Sequence, residues 1–201
     1  MLTNLDLLFT MKLVVKSDKI ILQAKNIIPI VKKLRRQGKS IVLTQGSFDM
    51  VHIGHGRYCQ EAKKHGDVLI VGVDSDQKVR KRKGENRPVV PEDERLEMMM
   101  YLSSVDYVVL KELNAPKYNL IKLVQPDVLI ATDETYTQEQ IDHLQTICGE
   151  VIVLEPMATT STSAKIRRLQ IGAAKEITKT LSKRFIKVME EMIEELKNGD
   201  K

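Results

Sequence analysis

The sequence predicts an α/β fold, a parallel sheet with helices on both faces, followed by one amphipathic helix. Three observations carry this expectation. Short β-branched runs recur along the chain, helical stretches separate them, and the last part shows an apolar stripe at helical spacing.

The elements follow in order. Apolar residues recur at helical spacing from Ile27 to Leu34, and Gly38 in "RRQGKS" is a natural stop. "IVLTQ" then reads as a buried strand. "DVLIVGV" (67–73), "VDYVVL" (105–110), "DVLIAT" (127–132) and "EVIVLE" (150–155) repeat the pattern. Alternation of this kind implies parallel strands buried on both faces, with ligands beyond their carboxyl ends. From Ile177 the positions Leu181, Phe185, Val188, Met189, Met192, Ile193 and Leu196 mark an amphipathic helix outside that alternation. Its expected neighbour is its own domain or a twin subunit, so a homodimer stays open, with another partner as the alternative. The division expected is an N-terminal extension over 1–23, a main domain over 24–172 and a C-terminal helical extension over 173–201.

Composition narrows the class. A chain of 201 residues, 42% hydrophobic, can bury one core. Its 32 basic and 27 acidic residues give a net charge of +5, which suits anionic ligands. Cys59 and Cys148 are too few for a disulfide framework or a multi-cysteine zinc site, and they suggest a reducing cytoplasm. Asp6 and Lys12 interrupt the apolar opening "MLTNLDLLFTMKLVV", which does not read as a secretory signal, and Met11 is an alternative start. No apolar run approaches the roughly 18 residues of a membrane span, so no membrane partner is expected.

Three segments at successive strand ends suit phosphate. "GSFDMVHIGH" (46–55) follows the first strand, and a helix opening at Gly54 and running to about Lys64 puts His52 and His55 at its N-terminal edge. Two imidazoles there can donate to phosphate oxygens whose charge grows in a transition state, while Gly54 permits close approach. "KVRKRKGENRP" (78–88) follows the second strand as a basic loop bent at Gly84. It lacks the interleaved aromatics of a single-strand nucleic-acid platform, which disfavours nucleic acid. "TTSTSAKIRRL" (159–169) offers Ser161, Thr162 and Ser163 where a helix begins.

With these segments in place, the chain resembles the HxGH-signature nucleotidyltransferase superfamily, and within it the heptose 1-phosphate adenylyltransferase domain of ADP-heptose synthases. The resemblance is carried by "LRRQGKSIVLTQGSFDMVHIGHGRY", "GDVLIVGVDSDQKVRKRKGENRPVVPEDER", "VDYVVL" and "TSTSAKIRRL", and covers about residues 24–172. It implies a Rossmann-like fold and attack by a substrate phosphate on the α-phosphorus of a nucleoside triphosphate, with Mg²⁺ assisting. It further implies that His52 and His55 stabilise the pentacovalent phosphorus and that Lys83 pairs with phosphate. Gly46, Ser47, Phe48, Asp49 and Gly54 would form the nucleotide loop, with Arg95, Asp133, Ser161, Thr162 and Ser163 as further nucleotide-binding residues. No protein metal ligand is assigned. "EPMATTSTS" places Pro156 and Met157 where related cytidylyltransferases carry arginine and threonine, which favours AMP transfer from ATP. "IATDETY" stands where the heptose enzymes carry a lysine and paired glycines, with Asp133 keeping part of that site. The alternatives are a cytidylyltransferase for glycerol 3-phosphate or another phosphorylated alcohol, and a non-catalytic nucleotide sensor. A class I aminoacyl-tRNA synthetase would also need a lysine-rich motif and a tRNA-binding domain, neither of which the sequence shows.

Overall fold

Strand β2 (Ile41–Gly46) is the interior strand from which the sheet is built. Its first four residues are buried, as expected of a strand covered on both faces. The computed structural model describes residues 17–132, 136–155, 157 and 162–198. Around β2 stand β1 (Ile20–Ile21), β3 (Val68–Asp74), β4 (Tyr107–Lys111), β5 (Val128–Ala131) and β6 (Glu150–Val153). Together they form a six-stranded sheet in the order β1-β4-β3-β2-β5-β6, and every pairing is parallel.

Helices cover both faces. On one, α1 (Ile27–Arg36), α5 (Asn119–Val124) and α6 (Gln138–Gln145) contribute Val31, Leu34, Ile121 and Leu144, packed on Ile41, Leu43, Ile70 and Leu129. On the other, α2 (Ile53–Lys63) and α4 (Glu92–Met100) contribute Cys59, Ala62, Leu96 and Met99, packed on Val42, Leu69, Val71 and Val108. The alternation of side chains along each strand produces this division. Helix α1 ends where the sequence predicts, with Gly38 at φ +69 and the Lys39 amide donating back to the Leu34 carbonyl.

Three elements differ from the sequence reading. The basic segment after β3 is a helix, α3 (Asp76–Lys83), rather than a loop from Lys78. The Ser75 hydroxyl caps it by accepting from the Lys78 amide, Val79 anchors it, and Gly84 at φ +95 ends it. Strand β1, within the expected N-terminal extension, is only two residues long and is held by pairing with β4. The terminal helix α7 runs over Thr162–Asn198 and so starts well before Ile177. The chain divides into contact units at Thr159–Thr160, and the expected boundary after residue 172 falls inside α7. Taken alone, α7 exposes Ile177, Leu181, Phe185, Val188 and Met192. Among the described residues, no helix is long and apolar enough to cross a membrane.

At the amino edge of the sheet, aspartates just before the strands satisfy amides of neighbouring segments. Asp127 accepts from the Ile41 amide at 2.7 Å, Asp106 from the Leu69 amide at 2.7 Å, and Asp67 from the Ser40 amide at 2.9 Å. Hydrogen bonds from the Ser40 amide and hydroxyl hold the Asp67 carboxyl below the usual carboxylate range. Asp127 also pairs with Arg35 of α1, fastening helix to strand. Asp127→Ala leaves the Ile41 amide without its acceptor and should cost about 1–3 kcal/mol. The urea midpoint should fall at unchanged m-value, and Asp127→Asn, which keeps an acceptor oxygen, should lose less.

Candidate active site

The loop leaving β2 is built under local constraint. Phe48 and Met50 adopt φ of 47° and 55°, in the left-handed region that side chains rarely occupy, and they reverse the chain between β2 and α2. A Cβ on Gly46 would come within 3.1 Å of the Phe48 ring, so the glycine lets that ring fold back. The ring then meets His55 edge-on at 5.6 Å between centroids.

His52 is the N-cap of α2, one residue earlier than a helix opening at Gly54, and the two histidines cap it reciprocally. Nδ1 of His52 accepts from the Gly54 amide at 3.1 Å, while the His52 amide donates to Nδ1 of His55 at 3.2 Å. Both Nδ1 atoms act as acceptors, so the neutral rings carry their protons on Nε2. The imidazoles, with centroids 4.1 Å apart, are therefore a matched pair of Nε2–H donors at a helix N-terminus.

Two expected nucleotide-binding residues hold the loop in place. Asp49, buried, accepts from the Arg87 guanidinium at 2.6 Å and from the amides of Val89 and Val90. Burial alone would raise its carboxyl pKa, but those two amides and Arg87 hold it below the usual range. Arg95 is 1% exposed. Its guanidinium donates to the carbonyls of Ser47, Asp74 and Val90 and to the Asp76 carboxylate. The contacts described for Arg95 are thus to the protein, and they join the β2 and β3 exits to α3 and the approach to α4.

Lys83 closes α3, and its ammonium reaches in to the Ser47 hydroxyl at 2.9 Å. Partial burial and the neighbouring Arg87 and Arg82 lower its ammonium pKa, a setting that an added anion would relieve. Gly46, Ser47, Phe48, Asp49, Gly54, His52, His55, Lys83 and Arg95 therefore belong to one connected region at the carboxyl ends of β2 and β3. Asp133 and Ser161 lie outside the described residues, as does Pro156. Thr162 and Ser163 open α7. Two charged residues that sequence reasoning passed over, Asp74 and Lys111, end β3 and β4 as partners in register. The signal was a charged residue closing an apolar run.

The Cys59 thiol and Tyr58 phenol of α2 are not activated as nucleophiles. Burial pushes the Cys59 thiol up to about 12, and the Tyr58 hydroxyl, bonded to Thr44, also to about 12. Among the described residues, no group of three or more His, Cys, Asp or Glu side chains is placed to cage a metal ion. The arrangement offers paired neutral donors, helix amides and cations, which suits charge stabilisation on phosphate rather than covalent catalysis.

Known proteins share both sequence and fold. The chain is 42% identical over 141 residues to the bifunctional protein HldE of Nitratiruptor sp., covering 70% of this chain and 30% of that relative. It is 39% identical over 155 residues to HldE of Wolinella succinogenes, covering 77% of this chain and 32% of the relative. It thus spans about a third of the length of these curated relatives. The lipopolysaccharide core biosynthesis protein of Thermoplasma volcanium superposes with a TM-score of 0.50 at 28% identity, over 62% of this chain and 100% of that one. Pantoate-beta-alanine ligase of Francisella tularensis shares the fold, with a TM-score of 0.54 at 17% identity over 73% and 69% of the two chains. The model of the cytidylyltransferase-like family matches residues 43–171, from β2 and the histidine loop onward, and with it the chain belongs to that family of nucleotidyltransferases.

Proposed function

We propose that this nucleotidyltransferase moves AMP from ATP to a phosphorylated sugar such as heptose 1-phosphate and releases pyrophosphate. The observation that carries the reading is the reciprocal cap of His52 and His55, which fixes two Nε2–H donors at the N-terminus of α2. An oxygen of the acceptor phosphate attacks the α-phosphorus. The bond from that phosphorus to the α,β-bridging oxygen breaks, and its electron pair leaves with pyrophosphate. The acceptor phosphate is already ionised at neutral pH, so the enzyme needs no general base. Charge building on the non-bridging oxygens is met by the imidazole donors and the α2 amides, and Lys83 offers a cation to the triphosphate. Mg²⁺ enters with the triphosphate as part of the substrate. The adenylyl and heptose assignments are supported by the dense sequence resemblance and by relatives about 40% identical.

His52→Asn retains a side-chain acceptor at the N-cap but removes the imidazole donor. Turnover, measured as pyrophosphate release, should fall roughly 10² to 10³-fold, with thermal unfolding and nucleotide binding little changed. His55→Ala should show a similar loss. Wild-type turnover in either variant would remove that histidine from the chemistry.

Lys83→Ala should raise the KM for triphosphate and slow transfer by about tenfold or more, whereas Lys81→Ala, two residues earlier on α3, should stay within about twofold. Equal modest losses in both would indicate diffuse attraction instead.

ATP should exceed CTP in kcat/KM at least about tenfold with the same acceptor, a transition-state difference of about 1.4 kcal/mol. Competition at limiting acceptor, with the product identified by mass, checks this. A predominantly CMP-linked product would make the enzyme a cytidylyltransferase and leave the histidine chemistry intact.

A further inference from the structure

The carboxyl ends of β3 and β4 hold a charge arrangement that the proposed transfer leaves unused. Asp74, fully buried, is the last residue of β3, and Lys111, the last of β4, is its partner in register. Three cations converge on this one carboxylate: Arg82 at 2.6 Å, Lys111 at 3.0 Å and Lys78 at 3.6 Å. Arg82 donates to Oδ2, while the ammonium groups of Lys111 and Lys78 face the buried Oδ1. Among the described residues one carboxylate faces three cations, and a buried ammonium costs several kcal/mol unless enough negative charge faces it.

The surroundings accommodate that lysine. A Cβ on Gly72, two residues before Asp74 and on the same face, would lie 2.8 Å from Cδ of Lys111 and 3.2 Å from Cγ of Gln45. The glycine therefore leaves room for both side chains. Gln45 in turn donates to the Tyr136 hydroxyl at 3.2 Å, adding polar groups to this face of the strand ends. Side-chain exposure rises from 16% at Lys111 through 25% at Lys78 to 54% at Arg82, so the cluster opens towards solvent along α3. Burial lowers the ammonium pKa of Lys111 although Asp74 opposes the shift, and an added anion would relieve it.

We propose that this cluster is the seat of the acceptor substrate, with Lys111 and Arg82 taking its phosphate and the buried Asp74 carboxylate holding both cations in place. The surplus of positive charge selects a phosphate monoester. Arg82 and Lys83 are consecutive. Lys83 turns to Ser47 in the histidine loop and Arg82 to Asp74, so a phosphate held here adjoins the cradle assigned to the triphosphate. The inference rests on the transferase reading and adds Lys111 and Arg82 as residues that determine acceptor choice, with Asp74 positioning them.

The test pairs a binding measurement with turnover on the full chain. With the nucleotide site filled by a non-hydrolysable ATP analogue and Mg²⁺, inorganic phosphate is titrated while amide resonances are followed by NMR. The wild type should shift at Asp74, Ser75 and Lys111, and Lys111→Met should weaken phosphate about tenfold or more, the loss expected for a charge-assisted hydrogen bond. Arg82→Gln, at a half-exposed position where folding is not at issue, should weaken it in the same direction. With phosphorylated acceptors, both variants should raise the acceptor KM at least about tenfold while the triphosphate KM stays within about twofold. Unchanged phosphate affinity in both variants, shifts confined to the histidine loop, or a rise in triphosphate KM instead would overturn the proposal. If the wild type releases no pyrophosphate with any acceptor and Lys111→Met still loses phosphate, the anion site stands and the transferase reading falls. If the wild type turns over and the variants bind phosphate unaltered, the transferase stands and the anion site falls.

Discussion

The guanidinium of Arg95 is the contact on which the carboxyl end of this sheet depends. From a fully buried position on α4 it takes the carbonyls of Ser47, Asp74 and Val90 and the carboxylate of Asp76. Those groups belong to three separate stretches of chain, around Ser47, Asp74–Asp76 and Val90, which one side chain thereby ties together. Its planar fork suits the task, because donors fixed relative to one another fix their acceptors too. The Asp49 carboxylate makes a second tie by gathering Arg87, Val89 and Val90. Between the two ties lies the loop in which Phe48 and Met50 hold strained dihedrals. Such strain persists only when surrounding contacts over-determine it, and here two buried ionic clamps do so. The geometry of His52 and His55 is inherited from that frame.

How much of this the sequence could disclose depended on whether a signal was local. The runs around Leu43, Ile70, Val109 and Leu129 announced interior strands because parallel strands are apolar on both faces. The histidine loop was legible for a similar reason, since a glycine, two imidazoles and a preceding strand occupy adjacent positions. Strand β1 has only Ile20 and Ile21 and exists through its pairing with β4, so no run betrayed it. Helix α3 shows a single buried apolar residue, Val79, and its charge resembled a loop, although Ser75 was a readable N-cap signal. The role of Arg95 was out of reach because its acceptors are distant in sequence and three of them are backbone carbonyls that carry no side-chain signature.

The sheet also sorts charge along its strands. Carboxylates of Asp67, Asp106 and Asp127 gather at the amino edge, where they meet amides. Lys78, Arg82, Lys83 and Lys111 gather at the carboxyl edge, where the proposed substrates bring phosphate. The first set satisfies the polar demand of the backbone and stabilises the scaffold. The second leaves positive charge unspent, which a scaffold does not need and an anionic substrate does.

The strand order has a consequence for a chain emerging from the ribosome. Strand β2 can pair with β3 soon after both are made, because only α2 intervenes. Its other edge, Val42 to Thr44, pairs with Val128 to Ile130, and Ile41 is bonded to Asp127 from 86 positions further along the chain. At about 5–20 residues per second that edge waits several seconds as an apolar strand with unpaired amides. A segment of this kind is a template for the wrong neighbour until the right one arrives. The strand that carries the histidine loop thus keeps one apolar edge open until β5 has been made.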